Sequence, residues 1–188
     1  MSKKIGIIAG SLRKASFSKK IAAEIVNMAP EGFEFEIIDI SDLPIYNQDF
    51  DDDGEVPETY TTFRNAMSTI QGVIFITPEY NRSVPGVLRN AVDVGSRPYG
   101  KSVWDGKPAA IISNTPGAIG AFGANHHLRQ SLVFLNMPIM QQPEVYLAKI
   151  GDEFDAEGKL LAGKTKDLLQ QAVTAYTNMF SKVTSSVD

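Results

Sequence analysis

The sequence predicts a single α/β domain built on a five-stranded parallel sheet that is wound on both faces. Short apolar runs of strand length alternate five times with amphipathic segments of helical period, the pattern of a doubly wound sheet with right-handed crossovers. The run Gly72–Thr77, GVIFIT, is apolar throughout, as a strand covered on both faces must be. The chain has 188 residues, 43% of them apolar, which is enough for one domain with a full core.

The elements follow in order. Ile5–Ala9 is a short apolar run that breaks at Gly10, and Ser11, Arg13, Ser16 and Ser18 come next. Phe17, Ile21, Ala22, Ile25 and Met28 then recur at helical spacing, and this helix should end near Pro30-Glu31-Gly32. Phe33–Ile40 reads as the second strand. Ser41–Gly54 is a loop with Pro44 and an acidic run. Asp49, Asp51, Asp53 and Gly54 match the first half of a calcium loop, but its twelfth position is Tyr60 and no helix precedes it, so the acids are expected to be solvated and no metal is expected. Pro57–Ile70 is a helix carrying Phe63, Ala66, Met67 and Ile70. After the third strand, Gly72–Thr77, comes the loop Pro78–Ser83. Pro85 opens a helix with Val87, Leu88, Ala91 and Val92. Arg97–Gly106 is a polar loop holding the only tryptophan, Trp104. Pro108–Asn114 is the fourth strand and Thr115–Gly123 a glycine-rich loop. His126–Asn136 is a helix with Leu128, Leu132, Val133 and Leu135 on its apolar side. Pro138–Leu147 is the fifth strand, Gly151–Gly163 a polar excursion, and Lys164–Val183 the last helix, using Leu168, Leu169, Ala172, Tyr176 and Phe180.

The bulk chemistry excludes several classes. A net charge of −4 argues against nucleic acid or an anionic membrane as the main partner. The absence of cysteine removes disulfides, thiolate catalysis, cysteine-bound zinc and iron–sulfur clusters. No run approaches the roughly 18 apolar residues of a membrane span, and the first apolar run is too short for a signal peptide. A cytoplasmic protein is expected. His126 and His127 are adjacent, so on a helix they diverge; they are expected at the surface or an interface, not as a metal pair.

Sheets of this kind bind ligands outside the carboxyl ends of their strands, where the strand order reverses. The loops after strands one, three and four fall there. The first leads from a strand into a helix N-terminus, where free N–H groups and the helix dipole favour an anion. Ser11, Ser16 and Ser18 add hydroxyls and Arg13 a bidentate cation. The loop is neither GxxxxGK[ST] nor GxGxxG. A plainer reading is that Ser16 caps the helix and the other serines fill a turn. In the second loop Pro78 stiffens the exit and biases Thr77 to an extended shape, Tyr80 offers a flat face and Asn81 polar contacts. A planar heteroaromatic ring suits it, although an ordinary turn would look the same. The third loop, with Pro116, Gly117, Gly120 and Gly123, lets backbone approach a ligand, or serves as a flexible connector. A phosphate and a flat polar ring at the switch point together describe FMN.

The stretch Gly10-Ser11-Leu12-Arg13-Lys14-Ala15-Ser16-Phe17-Ser18, with Pro78-Glu79-Tyr80-Asn81 and Val84-Pro85-Gly86-Val87-Leu88-Arg89-Asn90-Ala91, resembles the NADPH-dependent FMN reductase family, whose bacterial members include quinone, chromate and azo-dye reductases. The resemblance runs from about Lys3 to Val145. It implies a flavodoxin-like fold with strand order 2-1-3-4-5. It implies a bound FMN whose phosphate sits on the motif of Ser11, Arg13, Ser16, Phe17 and Ser18. The isoalloxazine would lie along Pro78, Glu79, Tyr80 and Asn81, flanked by Thr115, Pro116, Gly117 and Gly120. Position 18 is usually Asn in the family; a serine hydroxyl still reaches a phosphate. The third loop departs from the family's S-T-G-x-x-G-G run followed by Arg. NADPH or NADH is the implied co-substrate, passing hydride to flavin N5 before a small-molecule acceptor such as a quinone, azo dye, chromate or free flavin takes its place. No protein acid or base is obligatory, and Tyr80 and Asn81 are expected to shape the stacking site. Family members are commonly homodimers or homotetramers, and the strip Leu43-Pro44-Ile45-Tyr46 is a candidate to close a neighbour's flavin site. The competing function is a flavodoxin-like electron carrier without nucleotide oxidation; a carrier usually presents a strongly acidic face, and −4 is mild. A phospho-receiver domain would need Asp where Thr77 stands.

Overall fold

The computed structural model describes residues 2–185. The strands are β1 (Lys3–Ala9), β2 (Phe33–Ile37), β3 (Gly72–Thr77), β4 (Ala109–Asn114) and β5 (Val145–Leu147). The helices are α1 (Phe17–Val26), the single turn α2 (Asp49–Asp52), α3 (Glu58–Thr69), α4 (Gly86–Gly95), α5 (Phe122–Phe134) and α6 (Lys164–Thr184). All strand pairs are parallel and the order is β2-β1-β3-β4-β5, the flavodoxin-like arrangement.

Period-two alternation in the central strands gives the sheet two apolar faces. Ile5, Ile7, Ile74, Ile76, Ala110 and Ile112 bury one face under Ile21, Ala22 and Ile25 of α1 and Leu169, Ala172, Val173, Tyr176 and Phe180 of α6. Ile8, Val73, Phe75, Ala109 and Ile111 bury the other under α3, α4 and α5. Each face needs its own helices: α1 and α6 cover one, and α3, α4 and α5 the other. The single change of side among the crossover helices, between α1 and α3, opens the crevice described below.

Several elements differ from expectation. The second strand ends at Ile37, not Ile40. It is an edge strand with β1 as its only partner, and the pairing stops at Ile7↔Ile37. Ile38 and Ile40 instead turn under α3. The fifth strand is Val145–Leu147, not Pro138–Leu147. Ile139 makes one bridge to Ala109, and Pro138 and Pro143, which cannot donate, interrupt the ladder. α5 begins at Phe122, before His126, and its inward residues are Leu128 and Leu132, while Val133 and Phe134 are 65% and 83% exposed. Trp104 lies in the expected loop between α4 and β4 but faces inward. It is fully buried, its Nε1 donates to the Val92 carbonyl at 2.9 Å, and its ring lies where a Cβ on Gly95 would come within 2.6 Å.

The acidic loop is not all solvated. Asp51 has a side chain only 3% exposed. It accepts from the Arg64 guanidinium at 2.7 and 2.8 Å and from the Tyr46 hydroxyl at 3.2 Å. Arg64 also donates to the Val94 carbonyl, so the pair ties the loop to α3 and α4. These Arg64 hydrogen bonds outweigh burial and hold the Asp51 carboxyl below its ordinary 3.8. Removing one partner of a buried pair leaves a charge stranded, at a cost of about 3 kcal/mol. Asp51→Ala should therefore lower unfolding free energy in urea by about that much near neutral pH. The folded carboxyl is the harder one to protonate. Its contribution is complete above the ordinary value and is lost as pH falls through the lower folded value. The deficit of the variant should shrink there, and a deficit that stays constant in strong acid would contradict the assignment.

Candidate functional site

β1 is paired with β2 on one side and β3 on the other. The chain therefore leaves β1 and β3 toward opposite faces, and their ends, with that of β4, open on one crevice. The register sets Ala9 beside Ile76 and Thr77 beside Ser113. The cleft there has a volume of about 220 Å³ and is lined by Ser11, Arg13, Ser16, Phe17, Ser18, Pro78, Glu79, Tyr80, Asn114, Thr115 and Pro116. Larger depressions of about 490 Å³ between α4 and α5 and about 480 Å³ between β2 and α3 lie elsewhere. Volume does not select the site; converging donors do.

Gly10 opens the first loop. Its N–H donates to the Ile76 carbonyl at 2.8 Å, and a Cβ there would meet Leu88 Cδ2 at 2.8 Å, so the loop is pressed onto β3 and α4. Ser11, Ser16 and Ser18 are 6%, 4% and 1% exposed. Ser16 is the N-cap of α1, with extended backbone and Oγ accepting from the Lys19 N–H at 3.2 Å. The capping reading of Ser16 is thus realised, but it uses only the oxygen. Ser18 Oγ accepts from Asn114 Nδ2 at 2.9 Å. Among the described residues no acceptor takes the hydroxyl proton of Ser11, Ser16 or Ser18. The N–H groups of Phe17 and Ser18 belong to the first turn, which has no intrahelical acceptor for them. Arg13 is exposed and makes no ion pair among the described residues. Buried donors without acceptors around one helix N-terminus fit a phosphate.

In the second loop Tyr80 and Ser83 exchange backbone hydrogen bonds of 3.1 and 2.9 Å, with Asn81 and Arg82 at φ 51° and 64°. This is a two-residue type I′ turn. Asn tolerates the left-handed region; Arg adopts it rarely. Tyr80 is 52% exposed and borders the cleft. Asn81, at the turn's tip, does not line it. Glu79 lines the cleft, but Oε2 accepts from the Ala124 N–H at 3.0 Å, so the carboxylate caps α5, whose own N-cap residue, Ala121, offers no side-chain cap. At Gly123 a Cβ would stand 2.6 Å from the Arg82 carbonyl, which is what lets the two loops touch.

The third loop departs most from expectation. Thr115 and Pro116 line the cleft; Gly117 and Gly120 do not. Gly120, at φ 60°, packs on Tyr146, where a Cβ would lie 2.7 Å from its carbonyl carbon, and its own carbonyl accepts from Ser113 Oγ at 2.7 Å. Gly117 accepts from the Lys149 N–H at 2.8 Å. Gly120 serves close packing against Tyr146 and the Gly117 carbonyl ties the loop to Lys149, so the loop is not a flexible connector.

Two contributors escaped the sequence. Asn114, at the end of a buried strand, carried no motif signal beyond being an amide where the apolar run stops. Phe154 in the polar excursion stacks on Phe17 at 5.9 Å, with Lys20 Nζ 5.2 Å from its ring. The adjacent histidines diverge as expected, His126 Nε2 to the Tyr146 hydroxyl and His127 Nδ1 to Ser83 Oγ, both at 3.0 Å. Leu43 and Tyr46 pack inward; within that strip Ile45 stands out, at 79% exposed. Among the described residues no group of three or more His, Cys, Asp or Glu comes together to hold a metal.

Comparison with known proteins places relatives beside this geometry. The sequence model described as NADPH-dependent FMN reductase matches residues 3–152. A quinone reductase of Pseudomonas putida is 50% identical over 93% of this chain and 92% of its own. A 2-hydroxy-1,4-benzoquinone reductase of a Burkholderia species is 43% identical over 94% of this chain and 95% of its own. The solved structure of FerB, a flavoenzyme NAD(P)H:(acceptor) oxidoreductase from Paracoccus denitrificans, superposes with a TM-score of 0.88 at 37% identity, covering 96% of this chain and 98% of that one.

The capping bond of Glu79 is open to test. Glu79→Ala should cost about 1 kcal/mol in chemical denaturation. Glu79→Gln keeps an acceptor oxygen and should recover most of it. Equal losses for both would show that the bond to Ala124 does not cap the helix.

Proposed function

This chain belongs to the NADPH-dependent FMN reductase family and is an FMN-containing oxidoreductase that uses NAD(P)H; from that premise we propose which residues hold the cofactor and what the enzyme reduces. Ser11, Arg13, Ser16 and Ser18 hold the FMN phosphate, with Phe17 beside it. The observation that carries this is the set of three buried serines at the N-terminus of α1 whose hydroxyl protons meet no acceptor among the described residues. Pro78, Glu79 and Tyr80 form one wall for the ring and Thr115 and Pro116 the other. Asn81 shapes the rim, and Gly117 and Gly120 act through the backbone that supports the third loop.

Bound FMN supplies a hydride acceptor for NAD(P)H and a reductant for the second substrate. The chain's own work is to bind and orient. Two prolines stiffen the walls, Glu79 is held by α5, and no acid or base in the cleft is required. The half-exposed Tyr80 leaves the rim open enough for flat molecules to dock in turn. Quinones are the acceptors that fit this opening, in line with the names of the relatives.

The chain reads as one domain over 1–188, since each sheet face carries one continuous core. No described helix is long and apolar enough to cross a membrane, and we assign the protein to the cytoplasm. Tyr99, Phe134 and Val133 are 91%, 83% and 65% exposed, and a homodimer or homotetramer would cover them.

Protein loaded with FMN should lose its flavin absorption within seconds of anaerobic NADPH or NADH and regain it on adding a benzoquinone. Flavin bands that persist with both nucleotides would overturn the reductase reading. Arg13→Ala, which removes a charge-assisted contact, should weaken FMN binding about tenfold, or about 1.4 kcal/mol, in a fluorescence titration. Unchanged affinity would remove Arg13 from the site.

A further inference from the structure

Asn114 is the last residue of β4 and is 2% exposed. Its amide nitrogen stands 2.9 Å from Ser18 Oγ and 3.3 Å from the Thr77 carbonyl oxygen. A carbonyl oxygen can only accept. The atom facing Thr77 must therefore be nitrogen, which settles which way the amide points. The other proton of the same NH₂ group goes to Ser18. Ser18 Oγ is thus the acceptor of that bond, and its own proton has to be given elsewhere. The side chain is 1% exposed, and no described residue accepts that proton. With one lone pair taken by Asn114, the cleft that Ser18 lines is the remaining outlet for its O–H.

We propose that Asn114 is a positioning residue for cofactor binding: it aims the Ser18 hydroxyl proton at the anionic end of the FMN. This rests on the reading that the phosphate lies on the Ser11–Ser18 loop. It also accounts for how a short serine serves there. The amide of Asn114 reaches the anion through that hydroxyl. A plainer role for Asn114 would be to tie β4 to β3 through Thr77. That role would affect the ring and the phosphate ends of the cofactor alike.

The test compares two ligands that differ only in the phosphate, FMN and riboflavin. Their dissociation constants are measured by flavin fluorescence for the wild type, Asn114→Ala, Ser18→Ala and the double variant. The wild type should prefer FMN. Asn114→Ala and Ser18→Ala should each cut that preference about tenfold, the loss of one hydrogen bond to a charged group. The double variant should fall no further than about twofold below either single one, because the two residues act in series. Asn114→Ser serves in the same series if Asn114→Ala does not fold. Equal weakening of both flavins, or an unchanged preference, overturns the proposal in favour of the structural tie. Losses that multiply in the double variant overturn it too, since the residues would then act separately. A wild type with no preference for FMN over riboflavin shows instead that the phosphate assignment itself is wrong, and the proposal falls with it.

Discussion

Parallel pairing of β1 between β2 and β3 is the constraint from which the rest follows. Parallel neighbours put every carboxyl end on the same edge of the sheet, and both apolar faces demand helices. The chain must then leave β1 and β3 in opposite directions, which parts the loops and opens the crevice. The loops can only fill that crevice if their backbone polar groups find partners, because the strand ends beneath them are buried. Long-range hydrogen bonds meet that demand. Glu79 reaches α5, Asn114 reaches α1, and Thr115 and Gly117 accept from Ile150 and Lys149.

What remains unsatisfied is as informative as what is paired. Ser11, Ser16 and Ser18 are buried, yet among the described residues no acceptor takes their hydroxyl protons. In a core element such groups would cost stability. Here they sit at a helix N-terminus with Arg13 in reach, where a phosphate would take all of them. Glu79 shows the opposite case. It is an acid in the cleft, but its oxygens are engaged by Ala124 and Arg82, so it is architecture and not a base. The chemistry falls to the cofactor, and the cleft offers it a hydrogen-bonded frame with hydroxyls and Arg13 suited to an anion.

The parts legible in the sequence were those governed by local periodicity. Gly72–Thr77 announced a strand buried on both faces, and Gly10–Ser18 announced a strand–loop–helix. The misreadings share one cause: a partner far away in sequence. Asp51 looked solvated because Arg64 lies on the next helix. Trp104 lies in a loop as expected, but its burial has no local sign because its acceptor is Val92 and its seat is Gly95. The packing of Gly120 on Tyr146 likewise has no sign in its own neighbourhood. Asn114 and Ser18 are 96 positions apart, and no motif joins them. β2 and β5 are shorter than their apolar patterns because an edge strand's pairing ends with its single neighbour, which composition does not reveal.

A crystal structure of the protein grown with FMN addresses the central claim most directly. The account places the phosphate within hydrogen-bond distance of the Ser11, Ser16 and Ser18 hydroxyls, with Arg13 closing over it and the ring between Pro78–Tyr80 and Thr115–Pro116. A flavin seated in the cleft between α4 and α5, or one whose phosphate points away from the start of α1, would contradict it.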